Sequence, residues 1–401
     1  MRRILTLTAL AFAVNAATAT PAVIVNCDHG VSLNRTLARL DKQTPITVRV
    51  LGTCTEYVQI SGFEGLTLRG APGATLVQPS EAPPVGVREL LLIESSRSVT
   101  LDGFKVHAAL TLSGISIGRG SADIRLRNLT IEGGGEGIIV WENSQVSIAR
   151  VTARDPGFAP VGIYDKSDVH IEDCLFEHST GEQWHHGIDV GSGHLTLHGT
   201  TIRNMQVGMS VSSSGSIDLV DFDSYYPLGG PSEVVIENPA GTNFNGVQVS
   251  GGSSLNLGTK LRITNPGQSW GGDTGGVLVR DGSTLNAGGN LEVSGSQGQG
   301  IFVTNNSHVS LGGGNTTAAS SIAGSGHNGL VVVNNSSVAV AGGGSIPPTE
   351  IIGSAASAGS NAKDLFCDSS SVIAGGANLA YDPAKAQCDR LLVEGSEPIP
   401  W

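Results

Sequence analysis

The chain has 401 residues and a formal net charge of −12, with 39% hydrophobic but only 4% aromatic content and 56 glycines. The acidic balance excludes nucleic-acid binding through a broad basic face, and the scarcity of rings excludes a thick aromatic core, leaving a narrow aliphatic one. Length alone suggests two or three globular domains, but one repeat runs through the chain, and a solenoid grows by adding units.

Met1-Arg2-Arg3, the apolar run from Ile4 to Val14 and the small-residue site Ala17-Thr18-Ala19 form the three parts of a secretory signal peptide over residues 1–19. No other apolar stretch approaches the twenty residues a membrane span needs. The mature chain is therefore expected to be soluble, without membrane insertion, in the bacterial periplasm or the extracellular space. The five cysteines fit that oxidising setting. Cys27 and Cys54 lie near the first strands and Cys367 and Cys388 near the last, each pair about one repeat apart, so each is expected to form a disulfide across one end. Cys174 is left over and is read as a small core residue.

Residues 20–95 read as an N-terminal cap and first repeats. Leu33, Leu37 and Leu40 have helical spacing behind Ser32, a good N-cap, so a short helix should plug the first rung. Strands follow over 46–50, 57–60, 66–68 and 74–77.

Residues 96–345 carry the regular repeat. A glycine opens an apolar-x-apolar triplet, and a second triplet begins nine residues after it: Gly137 leads to Val146, Gly208 to Ile217, Gly246 to Leu255, Gly276 to Leu285, Gly300 to Val309 and Gly329 to Val338. Two copies depart, at Gly162 and Gly187, which reach Val169 after seven residues and Leu195 after eight. A third triplet follows the second at a steady offset, and units beginning at Val99, Ile124, Val146, Val169, Leu195 and Ile217 advance by 25, 22, 23, 26 and 22 residues. Alternation over three to five positions is a strand with one buried face, and three strands per unit leave no room for a crossover helix. Each unit is one turn of an all-β parallel β-helix, a solenoid with three strands per rung, whose later rungs are rich in Gly, Ser and Asn. Asn at equivalent turns near Asn305 and Asn334 should stack into a ladder. Trp270 sits in an irregular loop read as a lid. Residues 346–401 are expected to form the last rungs and a C-terminal cap.

The first rungs, Cys54-Thr-Glu-Tyr-Val-Gln-Ile, Leu66-Thr-Leu-Arg-Gly and Ala74-Thr-Leu, resemble those of secreted right-handed parallel β-helix proteins of the pectate-lyase-like superfamily. That resemblance implies a right-handed, single-stranded β-helix, and it embraces polysaccharide lyases, hydrolases and epimerases as well as adhesins. The motifs of the polygalacturonase-like, pectate lyase and mannuronan epimerase branches are missing. Lys166-Ser167 followed by His185-His186-Gly187 is similar in placement to the Lys-Ser and Arg-His-Gly of alginate and chondroitin lyases, with His where the Arg stands. The resemblance to acidic β-helix proteins also implies calcium beside an acidic sugar.

The two irregular copies carry the densest reactive side chains. Alternation predicts an outward column of Ile139, Tyr164, Asp189 and Ser210. The expected catalytic groups are Lys166, His185, His186 and Tyr164, with Trp141, Glu142, Phe158, Asp165, Trp184 and Asp189 binding substrate and Asp155, Glu182 and Asp189 as calcium ligands. His178, His185 and His186 with Asp189 lack the spacing of a transition-metal site. Two readings stay open: a secreted protein, expected monomeric, that binds an acidic polysaccharide and cleaves it by β-elimination as a lyase, and a non-catalytic, adhesin-like extracellular β-helix.

Overall fold

In a computed structural model, the protein is described over residues 22–179, 185–221, 232–237, 245–266, 275–312, 319–341, 348–354 and 362–392. The expected signal peptide, Glu182, Trp184 and Trp270 lie outside these residues. Among the described residues, the strands form three parallel sheets of 15, 13 and 13 members, and neighbours within a sheet are one rung apart in sequence. A rung runs, for example, through Glu136–Val140, Gln145–Ala149 and Thr152–Arg154 before the chain returns on Ala159–Tyr164, directly above its start.

The register places like on like. Val140, Ile163, Val190 and Val211 stack in one sheet, Ile148, Ile171, Leu197 and Leu219 in the second, and Ile131, Ala153, Phe176, Ile202 and Ile236 in the third. All are buried in one continuous core. Cys174 is buried and free, as its register requires.

The repeated glycine stands where the third sheet meets the first strand of the next rung. A Cβ at Gly187, Gly208, Gly246, Gly276, Gly300 or Gly329 would lie 2.3 to 2.5 Å from a branched Ile or Val methyl, and close to the carbonyl of the rung above. The glycine is thus a steric requirement of rung-on-rung packing, made at a corner where the aliphatic core reaches the backbone.

Both ends follow the expected plan. The helix Leu33–Leu37 buries Leu33 and Leu37 against the first rung, and Ser32 accepts from the Arg35 amide. Glu56 completes this cap, accepting from the Leu33 and Asn34 amides and from the Ser32 hydroxyl. Disulfides join Cys27 to Cys54 and Cys367 to Cys388. The parallel pairing continues through the last described strands, ending at Leu391–Leu392. The Asn ladder is present: Asn334 donates to Asn305, which donates to Asp281. No helix among the described residues is long and apolar enough to cross a membrane.

Gly246→Ala would force a methyl group to within 2.3 Å of Ile263. It should destabilise the folded chain by about 1–3 kcal/mol, read as a lowered midpoint of urea or thermal unfolding. An unchanged midpoint would show that the corner can relax and that the glycine is not required there.

Candidate active site

The outward column differs from the expected one by two residues. Ile139 pairs with Gly162, Gly162 with Asp189 and Asp189 with Ser210, whereas Tyr164 pairs with Gly191. The corner position of that rung is held by Pro160, whose carbonyl a Cβ at Gly137 would meet. Counted from Pro160, the distance to Val169 is the usual nine residues. The departure at Gly187 is real: its turn has Ser192 alone in the left-handed region, where the rung before uses both Asp165 and Lys166.

Gly162 therefore faces outward, and its missing side chain is filled by a neighbour. The Tyr164 ring folds back over it, so that a Cβ at Gly162 would lie 2.7 Å from the ring and 2.9 Å from its oxygen, and a Cβ at Gly191 would touch the other edge. Laid across the strand in this way, the phenol oxygen sits 2.9 Å from Asp189 Oδ2 and 3.4 Å from Glu136 Oε1. One rung earlier, Trp141 repeats the device. Its indole lies over Gly118, and Nε1 donates to Ser116 Oγ at 3.0 Å.

Glu136 was not among the expected residues. Strict alternation from Ile138 and Val140 turns it inward, but at this end of the strand the Glu136 side chain emerges beside Tyr164 and Ser113. Its one sequence signal is position: it precedes a repeat glycine, as His186 does.

A phenol has one proton to give. With Tyr164 donating to Asp189, the contact with Glu136 becomes a hydrogen bond when Glu136 is protonated and donates to the phenol oxygen. The electrostatics shift the two carboxyl groups in opposite directions. Burial raises the Glu136 carboxyl above its ordinary range, and the Asp189 charge adds to that, against the lowering effects of Ser113 and Tyr164. For Asp189 burial also opposes ionisation, but it is outweighed by the contact and charge of His186 and by hydrogen bonds from Tyr164 and Ser210, so its carboxyl lies below the usual value. Tyr164 is raised by burial and then by the two neighbouring carboxylates, which keeps the phenol protonated. Two carboxyl groups that share one phenol oxygen thereby have their acidities shifted in opposite directions.

His186 Nδ1 lies 3.4 Å from Asp189 Oδ1, and Phe158 stacks on the His186 ring with centroids 5.0 Å apart. His185 is buried beneath, stacked on His178 at 4.2 Å. Asp155 accepts from the Ser179 amide at 2.6 Å and faces His178 at 3.9 Å.

The structure thus brings Tyr164, Asp189, His186 and Phe158 together and adds Glu136. It places Glu142, Asp165 and Lys166 elsewhere: all three are exposed on turns with left-handed backbone, at the rim of the sheet. No hydrogen bond or ion pair joins Lys166 to Tyr164 or Asp189 among the described residues. For calcium, the described residues supply no matching cage. The only three potential ligands among them within reach of one ion are Cys27, Cys54 and Glu56, and both sulfurs are in a disulfide.

The opposed shifts give opposite pH signatures. Asp189, depressed in the folded state, contributes stability that is present above its unfolded value of about 3.9 and is lost as pH falls through its folded value. Asp189→Asn should therefore lower the melting temperature at pH 7, with the difference shrinking in acid. Glu136, raised in the folded state, opposes folding once pH rises above its unfolded value of about 4.3. Glu136→Gln should match or exceed the parent's melting temperature at pH 7 and lose that advantage below pH 4. Thermal scans from pH 3 to 8 check both signs.

The family model described as a right handed beta helix region matches residues 87–223, a stretch containing Glu136, Tyr164 and Asp189. No curated protein matches the chain in sequence. Among solved structures the chain is similar to a pectin methylesterase in complex with a hexasaccharide, at 10% identity over 67% of this chain and 80% of that one, with a TM-score of 0.36. It is also similar to an Acinetobacter phage tailspike, at 13% identity over 88% and 62% with a TM-score of 0.46. A third likeness is to the catalytic domain of a GH87 alpha-1,3-glucanase in complex with nigerose, at 11% identity over 94% and 69% with a TM-score of 0.37. At these identities the likeness is one of fold. With three parallel sheets joined rung by rung among the described residues and that family model matching a stretch within them, the chain folds as a right-handed parallel β-helix.

Proposed function

We propose that this protein is an exported polysaccharide-processing enzyme that hydrolyses a glycosidic bond over the Glu136–Tyr164–Asp189 cluster. The observation that carries the reading is a pair of carboxyl groups, Glu136 and Asp189, set on one phenol oxygen at 3.4 and 2.9 Å, the first with its pKa raised by burial and the second with its pKa lowered by its neighbours. Glycoside hydrolysis needs a carboxylic acid to protonate the leaving oxygen and a carboxylate to meet the positive charge that grows on the anomeric carbon. Glu136 is suited to the first role and Asp189 to the second.

In this scheme the bond between the anomeric carbon and the glycosidic oxygen breaks as Glu136 gives its proton to that oxygen. Water adds its hydroxyl to the anomeric carbon, and its remaining proton restores Glu136. Tyr164 stays protonated throughout, holding the carboxyls apart and orienting Asp189. His186, steadied by Phe158, keeps Asp189 ionised. Export is supported by the signal-peptide pattern of residues 1–19 and by two disulfides.

Elimination, the other chemistry expected from the sequence, needs a base at the C5 proton and a cation on the adjacent carboxylate. Lys166 on the rim turn and the absence of a Lys or Arg beside the cluster among the described residues favour hydrolysis instead.

Release of reducing ends from a panel of polysaccharides, with absorbance of unsaturated products followed in parallel, tests the reading. New reducing ends without absorbance are expected, with Glu136→Gln and Asp189→Asn each lowering the rate by about 10²-fold or more. Unsaturated products would establish the lyase, and no cleavage of any polymer would leave the adhesin-like reading standing.

A further inference from the structure

The sheet that carries the cluster has an unusual charge pattern. Six consecutive strands, from Glu89–Glu94 to Val207–Ser212, contain Glu89, Glu94, Glu136 and Asp189 but no Lys or Arg. The nearest cations stand just outside the strand ends. Arg88 precedes the first strand, Arg119 follows the second with its guanidinium held by Glu94 at 2.8 Å, and Lys166 lies on the rim turn. The other two sheets place Arg on their outward faces, as at Arg125, Arg154 and Arg203. The anionic character is therefore a property of this face.

The second observation is apolar. Trp141 and Tyr164 occupy successive positions of one column, one rung apart, and both rings are turned down onto glycine backbone. Rings folded back over the sheet put aromatic surface on its outer side, where the C–H face of a pyranose can stack. Rungs are spaced by roughly 4.8 Å, about the advance of one sugar along a chain.

Resting on the hydrolytic reading above, we propose that the substrate is an uncharged glycan lying along the solenoid axis, with one sugar on Trp141 and the next at Glu136 and Asp189, and that uronate-containing chains are excluded. A sugar carboxylate set down beside Asp189 would meet a like charge within a few ångströms, with His186 already engaged by that carboxylate and no Lys or Arg on these strands to offset it. Neutral hydroxyls instead find an acceptor in the Asp189 carboxylate, a hydrogen-bonding partner in the Glu136 carboxyl and a ring for the apolar face. This reverses the acidic substrate expected from the sequence alone.

Affinity electrophoresis of Glu136→Gln, which keeps Asp189 and blocks turnover, separates binding from cleavage. The panel comprises neutral β-glucan, α-glucan, xylan and mannan against pectate, alginate and hyaluronan, run at low salt, where repulsion is least screened. At least one neutral polymer should retard the protein and no acidic one should. Trp141→Ala in the same background should weaken that retardation by tenfold or more at unchanged melting temperature, while Trp141→Tyr, which keeps a ring, should retain it. Retardation by an acidic polymer as strong as by any neutral one would overturn the proposal, as would a panel in which no neutral polymer binds. A neutral polymer that is bound but left intact by the wild-type chain would uphold the substrate class and reject hydrolysis.

Discussion

Everything in this molecule depends on how closely one rung sits on the next. At the corner of six rungs an Ile or Val methyl lies where a glycine Cβ would stand, while the carbonyl of the following rung closes over the same spot, leaving no room for a Cβ. That contact fixes where each rung begins, and so fixes the register of all three sheets. Parallel pairing then follows without choice, because a strand that returns one turn later lies in the direction of the strand beneath it.

A fixed register makes the outer face a lattice, and a lattice can be edited locally. At Gly162 and Gly191 two side chains are removed from it, and the Tyr164 ring takes the space. The phenol is thereby moved two residues back along its strand and set between carboxyl groups that belong to strands below and above its own. Glu136 and Asp189 are two rungs apart in the sheet and 53 positions apart in the chain. What joins them is one ring lying flat on two glycines.

The same corner explains why part of this arrangement was legible in the residues and part was not. The spacing of nine exposes the rungs, since every rung obeys one steric rule. Asp189, His186 and Tyr164 stand out because they interrupt a face otherwise made of Gly, Ser and small apolar residues. Glu136 is hidden by the corner itself. Alternation holds within a strand, and Glu136 is the first residue of its strand, at the corner, where a residue that counts as inward emerges outward. Pro160 misleads in the complementary way: it fills a corner that glycine usually holds, so the outward Gly162 is mistaken for the repeat glycine and the column slips by two.

The linear order of residues by itself determined the solenoid, the length of its rung, the helix and disulfides that close its ends, and the buried, unpaired Cys174. Each of these follows from local spacing, or from pairs of residues one rung apart. Tertiary structure alone decided the chemistry of the outer face: which carboxyl group has its pKa raised by burial, which has it lowered by an imidazole and hydrogen bonds, and which of two exposed-looking residues, Tyr164 or Lys166, reaches them. Those properties arise from side chains that meet across rungs and from the desolvation they impose on one another, and neither is encoded in the period of a repeat.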